Sequence, residues 1–547
     1  KKCVAQSQVG QGSTSDPEAM STRICWLPAC LAFCVWAEES VPRGSLPRVH
    51  LQSRGNGREV LVDSFGRERA FHGTNVIVKG PPWMPSRDGF DAFTSLTAED
   101  FQYMRSAGLN AIRLGVMWAG AEPVRGQYNH TYLQAIRELA AEAATYGIYV
   151  LADMHQDVLS EKFCGEGIPL WASQPDEELP FPLPLQIHSY EKDADTGLPT
   201  RDACSGHDWP TYYGAFAAGS AYDRLYLNHD NLTHAWGAFW AEVAKVFDGA
   251  PELLGYNLIN EPFVGNPYED PLLLLPSVGD RLRLQPAYDI VNEYIRRVDS
   301  EGLVFFSGCT WDRTGREIEK ALPSGFTHPP GGKDFANRSV SSFHFYVPPQ
   351  DPNDVESYFK LRIEDARKLG TGLFLTESCC DGFFDIAAPA AESRGISWMH
   401  WEWKDFCKES PVSSKSKSQN GAFGACKTGF GAGPFPDGQL NVSVLHRLAR
   451  PYATAIAGNF TAASFDNASN VFVLNFTVDP SIKAPTEVSA TKLRYPSGYR
   501  VDIFPMNVLL MRTREEGFEL EATPRASTGQ AVSVRVSPAQ VDRLVVV

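Results

Sequence analysis

Positive charge is scarce in this 547-residue chain: 50 Lys and Arg stand against 65 Asp and Glu, for a net charge of −15. That balance excludes the basic surface a phosphate backbone requires, so no nucleic-acid partner is expected. After residue 40 no apolar run reaches the roughly 18 residues that a membrane-spanning helix needs. No Cys or His spacing resembles a zinc site, and neither a metal nor another cofactor is expected. What the chain does have is core-forming material. Its 43% hydrophobic and 12% aromatic content describes a globular protein, and its length calls for two or more domains.

The first residues read as a targeting segment spanning 1–37, with translation starting at Met20. Arg23 forms a short basic region, ICWLPACLAFCVW an apolar one, and Val35 and Ala37 occupy the −3 and −1 positions of a cleavage site. Sequons at Asn129, Asn231, Asn337, Asn441, Asn459, Asn467 and Asn475 agree with passage through the glycosylation machinery. The expected destination is secreted or lysosomal. Beyond the leader lie Cys164, Cys204, Cys309, Cys379, Cys380, Cys407 and Cys426, an odd set. Cys164 with Cys204, and Cys407 with Cys426, each bracket one long loop and are the candidate disulfides.

Short apolar runs recur between helical-period segments: 70–76, 111–116, 148–155, 253–261, 303–308, 341–346, 372–377 and 396–403. Helices are predicted over 97–108, opened by Thr97 and closed by Gly108, and over 132–147, closed by Gly147. Eight strands with helical crossovers predict a (β/α)8 barrel over 50–450, with a doubly wound sheet as the alternative. A hairpin over 59–73, turning near Ser64–Gly66, is placed at the barrel floor. After Pro451 the period changes to two, as in 472–479, 490–496 and 532–538. An antiparallel β-sandwich over 451–547 is therefore expected.

Barrel chemistry sits at the carboxyl ends of the strands. There the sequence offers Arg113, His155-Gln156-Asp157, Asn260-Glu261, His344, Tyr346, Glu377, and Trp398, Trp401 and Trp403. The segment YNLINEPF (256–263) is read as a strand that ends in Asn260-Glu261 and is stopped by Pro262. Glu261 and Glu377, on the fourth and seventh strands, then face each other across the mouth. Paired carboxylates about 5–5.5 Å apart hydrolyse glycosidic bonds with retention: one donates a proton, the other attacks the anomeric carbon. Glu261 is assigned as acid/base with a raised pKa. Glu377 is the nucleophile, held ionised by Tyr346 and Arg113. Asn260 is assigned to the sugar 2-hydroxyl. The three tryptophans are read as sharing one face of one strand, with Trp401 preferred as the sugar platform, and Glu402 faces the other way.

The motifs NVIVKGPPW (75–83), IRLGVMW, DMHQDVLSEKF, GEGIPLW (165–171), LINEP, HFY and LTE resemble glycoside hydrolase family 5 and, within it, the endoglycoceramidases. The resemblance covers about 60–450 and extends to a C-terminal β-sandwich. It implies hydrolysis, with retention and without a metal, of the β-linkage between oligosaccharide and ceramide in glycosphingolipids. It places Lys79, His155 and Asp157 on the sugar nearest the scissile bond. It also places Asn260, Glu261, His344, Tyr346, Glu377 and Trp401 in the site. The alternative is a β-glucosidase acting on glucosylceramide or steryl glucoside. A catalytically inactive glycolipid-binding protein has little support, because both acids are present.

The expected partners are a ganglioside or neutral glycolipid and, transiently, a membrane or micelle surface, met by a monomer. The loop EDPLLLLPSVGDRLRLQP (269–286) carries four consecutive leucines. It is read either as a contact for acyl chains or bilayer, or as a cluster packed under its own loop.

Overall fold

A computed structural model of the protein describes residues 46–55, 57–176, 179–310, 322–347, 350–406 and 433–539. Eight parallel strands close a barrel: β4 (His72–Val76), β5 (Ala111–Gly115), β6 (Tyr149–Asp153), β7 (Leu253–Asn257), β8 (Val304–Phe306), β9 (Ser339–His344), β10 (Gly372–Glu377) and β11 (Ser397–His400). Trp398 pairs with His72 to close the ring, which rules out the open doubly wound sheet. The strands are buried along nearly their whole length, as helices on the outside and side chains within require.

The helix Ala98–Ser106 begins where the Thr97 backbone N–H donates to Asp100 Oδ2 at 2.9 Å, and it ends before Gly108 at φ +76°. The helix His130–Thr145 starts earlier than its apolar period indicates, because the Asn129 side chain caps it by accepting from the Tyr132 N–H.

Before the barrel come β1 (Val49–Ser53), β2 (Glu59–Asp63) and β3 (Glu68–Arg69), with the turn between β2 and β3 at the expected position. Val49, Leu51 and Leu61 pack with Phe71, Tyr149, Phe305 and Phe374 to seal the barrel floor. The hairpin also does something the sequence did not foretell. Its edge β3 pairs with β12 (Tyr452–Ile456), so residues 49–69, expected with the barrel, build one sheet with the C-terminal strands. That sheet runs β1-β2-β3-β12-β15-β18-β17, where β15 is Thr486–Ser489, β17 Leu509–Arg514 and β18 Gly517–Ala522. A second antiparallel sheet runs β13-β14-β19-β16, with β13 Gly458–Asp466, β14 Val471–Val478, β16 Tyr499–Phe504 and β19 Gln530–Pro538. Phe472, Leu474, Phe476, Val534 and Phe518 fill the space between the sheets.

The expected strand 490–496 is instead a turn. Arg494 is buried there and donates to the carbonyls of Ala449 and His446, which pins this stretch to the end of the barrel rather than to a ladder. Among the described residues no helix is long and apolar enough to cross a membrane.

Candidate active site

Arg113, fully buried on β5, organises the barrel mouth. Its guanidinium donates to Asn75 at the end of β4 (3.1 Å), Asp153 of β6 (2.8 Å), Asn257 of β7 (2.9 Å), Asn260 (2.9 Å) and Glu377 of β10. One planar fork thus ties together the ends of five strands. Glu377 is the last residue of β10, and its other oxygen accepts from Tyr346 Oη at 2.7 Å. Burial opposes the charge on Glu377, but the fields of His344, Arg113 and His155 and the tyrosine hydrogen bond outweigh it. Its pKa is therefore held below the ordinary 4.5.

Glu261 stands beyond its strand rather than on it. The ladder of β7 stops at Asn257, and the expected continuation to Glu261 is not a strand. The backbone stays pinned all the same: Leu258 N–H donates to Phe305 O at 3.0 Å and Asn260 N–H to Met154 O at 3.0 Å. The chain then turns at Glu261, with φ +34°, before Pro262. Gln156 holds this turn from below, donating to the carbonyl oxygens of Asn260 (2.7 Å) and Glu261 (3.3 Å). Burial pushes the Glu261 carboxyl above 4.5; the hydrogen bond to His344 offsets part of this, and the Glu377 charge adds to it.

His344 lies between the two acids. Its Nδ1 is 2.8 Å from Glu261 and 3.5 Å from Glu377. The ring nitrogen and one oxygen of each carboxylate all fall within 4.8 Å of one another, a spacing that could also accommodate a divalent cation. The carboxyl chemistry needs no ion.

A second group faces the pair. His155 Nδ1 meets Asp153 at 2.9 Å and its Nε2 lies 3.6 Å from Asp157. Burial disfavours the imidazolium, but these two carboxylates prevail and lift the pKa to about 9. The His155 ring stacks on Trp401 at 5.4 Å. Lys79 is ion-paired with Asp157 and, at 3.1 Å, with Glu166, while its ammonium stands 5.2 Å from the Trp401 ring and 5.7 Å from that of Trp209. Asp157 above all holds Lys79 charged against the cost of its burial, while burial pushes the Glu166 carboxyl up to about 8.

Every residue predicted for the site is thus brought to the barrel mouth, but the tryptophans are not placed as expected. Strand β11 ends at His400, and Trp398 differs in parity from Trp401 and Trp403, so the three cannot share a face. Trp398 points outward, stacked on His72 and bonded to Glu392. Trp403 is buried against Asp100. Only Trp401 joins the site. Glu402 lies within the fields of Asp405, Lys79 and Glu377, and burial first and then Asp405 push its pKa well above the carboxylate range.

Several residues escaped sequence reasoning. Asn75, Asp153 and Asn257 are polar groups at the ends of apolar strands, which was a usable signal. Glu166 and Trp209 come from loops. The bond between Cys164 and Cys204 fastens the segment carrying Trp209 to the one carrying Glu166. The proposed pair Cys407–Cys426 lies outside the described residues. The structure also joins Cys379 to Cys380.

A cavity of about 110 Å³ opens on the Glu261 side, lined by Asp280, Ser307, Thr310, Ser342 and Tyr358. On the Lys79 side a hollow of about 470 Å³ is lined by Val78, Pro82, Met84, Arg87, Arg201 and Phe406.

Residues 62–406 match the Cellulase (glycosyl hydrolase family 5) family, and residues 450–536 match the glycoside hydrolase family 5 C-terminal domain. An endoglycoceramidase of Cyanea nozakii is 38% identical over 86% of this chain and 91% of its own length. One from Hydra vulgaris is 39% identical over 82% of each. Among solved structures, endo-glycoceramidase II from Rhodococcus sp. in its ganglioside GM3 complex superimposes with a TM-score of 0.65 at 22% identity, covering 88% of this chain and all (100%) of that one.

Proposed function

The chain belongs to the endoglycoceramidase group of glycoside hydrolase family 5, and from that premise we propose that it is a retaining hydrolase of the β-bond joining oligosaccharide to ceramide in glycosphingolipids. The observation that carries this reading is the approach of the Glu261 and Glu377 carboxylates to within 4.8 Å. Inversion needs room for a water between the acids, about 6.5–9.5 Å, whereas direct attack needs the shorter gap.

Glu377, ionised, attacks the anomeric carbon while Glu261, protonated, donates to the departing ceramide oxygen. The sugar is then held as an ester on Glu377. Glu261, now a base, takes a proton from water, which attacks the same carbon and releases the oligosaccharide with its β-configuration restored. His344 links the two acids. Trp401 supplies the platform, and Asn260, His155, Asp157 and Lys79 supply hydrogen bonds to the sugar. A bound hydroxyl must share Asp157 with Lys79, which makes that ion pair a switchable partner rather than a fixed strut.

Because Glu261 protonates the leaving group, the lipid is assigned to its side, where the adjoining cavity reaches the 269–286 loop at Asp280. On that loop Leu272 and Leu275 are exposed (60% and 52%) and Leu273 is wholly buried. We assign the exposed pair, with Leu282 and Tyr268, to a membrane or micelle surface. Secretion or lysosomal delivery of a glycosylated monomer completes the proposal. None of the seven sequon asparagines is buried, and the Cys164–Cys204 bond suits an oxidising compartment.

Incubation of the purified protein with a ganglioside and with glucosylceramide, read by mass spectrometry, tests the reading. Intact oligosaccharide plus ceramide is the expected result. Glucose released from glucosylceramide alone would assign the chain to lipid β-glucosidase activity.

A further inference from the structure

Two residues past the nucleophile, Cys379 and Cys380 are bonded to each other. The bond closes a small ring through the peptide that joins them and removes rotational freedom from the backbone there, with Cys380 held at φ +63°. The unit sits among the reacting groups. Cys379, 4% exposed, forms an apolar cluster with Ile77 and Trp401, and Tyr346 and Cys380 pack against it. Tyr346 donates to Glu377, and Trp401 is fastened to the same stretch by its N–H on the Ser378 carbonyl at 2.8 Å. The chain from Glu377 to Cys380 therefore bears the nucleophile at one end and, at the other, the surface on which its hydroxyl donor and the sugar platform rest.

We propose that the Cys379–Cys380 disulfide is a positioning element for catalysis, fixing Glu377 relative to Trp401 and Tyr346, and that opening it lowers turnover reversibly. The proposal rests on Glu377 as nucleophile but not on a lipid substrate. A dithiol reductant supplies the two electrons. One of its thiolates attacks a Cys sulfur to give a mixed disulfide; its second sulfur then displaces the chain. Two protonated thiols remain on the protein and the reagent leaves as its own disulfide. Cys380 is only half-buried, which gives the reagent access.

The test uses a soluble aryl β-glycoside, with active molecules counted by a mechanism-based fluoro-glycoside inactivator. For C379A/C380A, kcat per active site is expected to fall roughly 10- to 100-fold, as misplacement of a reacting group does. KM should stay within about 3-fold, and the acid limb of the pH–rate profile should move upward as Glu377 loses its fixed partners. In parallel, wild-type protein is titrated with dithiothreitol and alkylated, and each cysteine pair is followed by mass spectrometry. Activity should fall in step with opening of 379–380 and return on reoxidation, an arm that stands even where the variant does not fold. Unchanged kcat per active site, or activity that tracks Cys164–Cys204 instead, overturns the proposal. A wild-type protein inert on every glycoside would instead remove the glycosidase reading beneath it.

Discussion

His344 Nδ1 lies 2.8 Å from Glu261 and 3.5 Å from Glu377, so a single ring faces both carboxylates of the pair. Its field lowers the pKa of each acid, and at Glu261 its hydrogen bond adds to this; against the upward push of burial, Glu261 remains above 4.5 and Glu377 below it. Activity requires Glu377 ionised and Glu261 protonated. The rate therefore rises as pH climbs through the lowered value and falls as it climbs through the raised one. The optimum is expected on the acidic side of neutrality. In H344A both values rise, so both limbs of the kcat/KM profile should shift to higher pH with a loss of roughly 10²-fold at the optimum. A profile shape identical to wild type would contradict this linkage.

The two glutamates should separate by leaving group. E377A is expected to lose roughly 10⁴-fold or more in kcat on every substrate, with azide restoring turnover and giving the α-glycosyl azide. E261A should lose comparable activity on glycolipid yet retain much more on a dinitrophenyl glycoside, which needs no proton, and azide should then give the β-product. Product configuration, read by NMR, checks both assignments.

Replacing Arg113 tests the hub of the mouth. R113M leaves the buried carboxylates of Glu377 and Asp153 without their shared cation, an expected cost of about 3–5 kcal/mol in urea unfolding. R113K keeps the charge but not the fork, so it should fold better than R113M while losing roughly 10²-fold in kcat.

The leucine loop gives a contrast between neighbours. L272S/L275S should reduce hydrolysis of vesicle-embedded glycolipid several-fold and leave the aryl glycoside rate within about 2-fold. L273S, at a position with no exposure, should lower the unfolding midpoint and impair both substrates alike. Equal losses on the two substrates in L272S/L275S would remove the lipid-surface role.

The barrel was legible because β5, β6, β7 and β10 are apolar runs of ordinary strand length between periodic helices, and the two acids stood out as charges at the ends of such runs. Periodicity cannot see where a ladder stops. Residues 258–260 continue the apolar pattern and still bond to neighbouring strands, so Glu261 reads as a strand terminus although it sits on a turn. Beyond His400 the alternation that would sort Trp401 from Trp403 no longer governs the chain. Trp209 was invisible for another reason. It sits in an aperiodic insertion, and its place over Lys79 depends on a covalent bond between distant cysteines. Arg494 reads as part of a period-two strand because its burial is satisfied by main-chain carbonyls of a different domain.

The edge of β3 finds its partner in β12, nearly four hundred residues away, at Arg69–Ala455 and Glu68–Ile456. During synthesis the floor hairpin emerges from the ribosome early, but its outer edge cannot be covered until Tyr452–Ile456 has followed. The strand edge stays open to stray pairing while the catalytic barrel is being made. Removing the C-terminal strands would make that exposure permanent. A shortened enzyme kept for its two glutamates alone is therefore expected to collect in inclusion bodies, with every catalytic residue present.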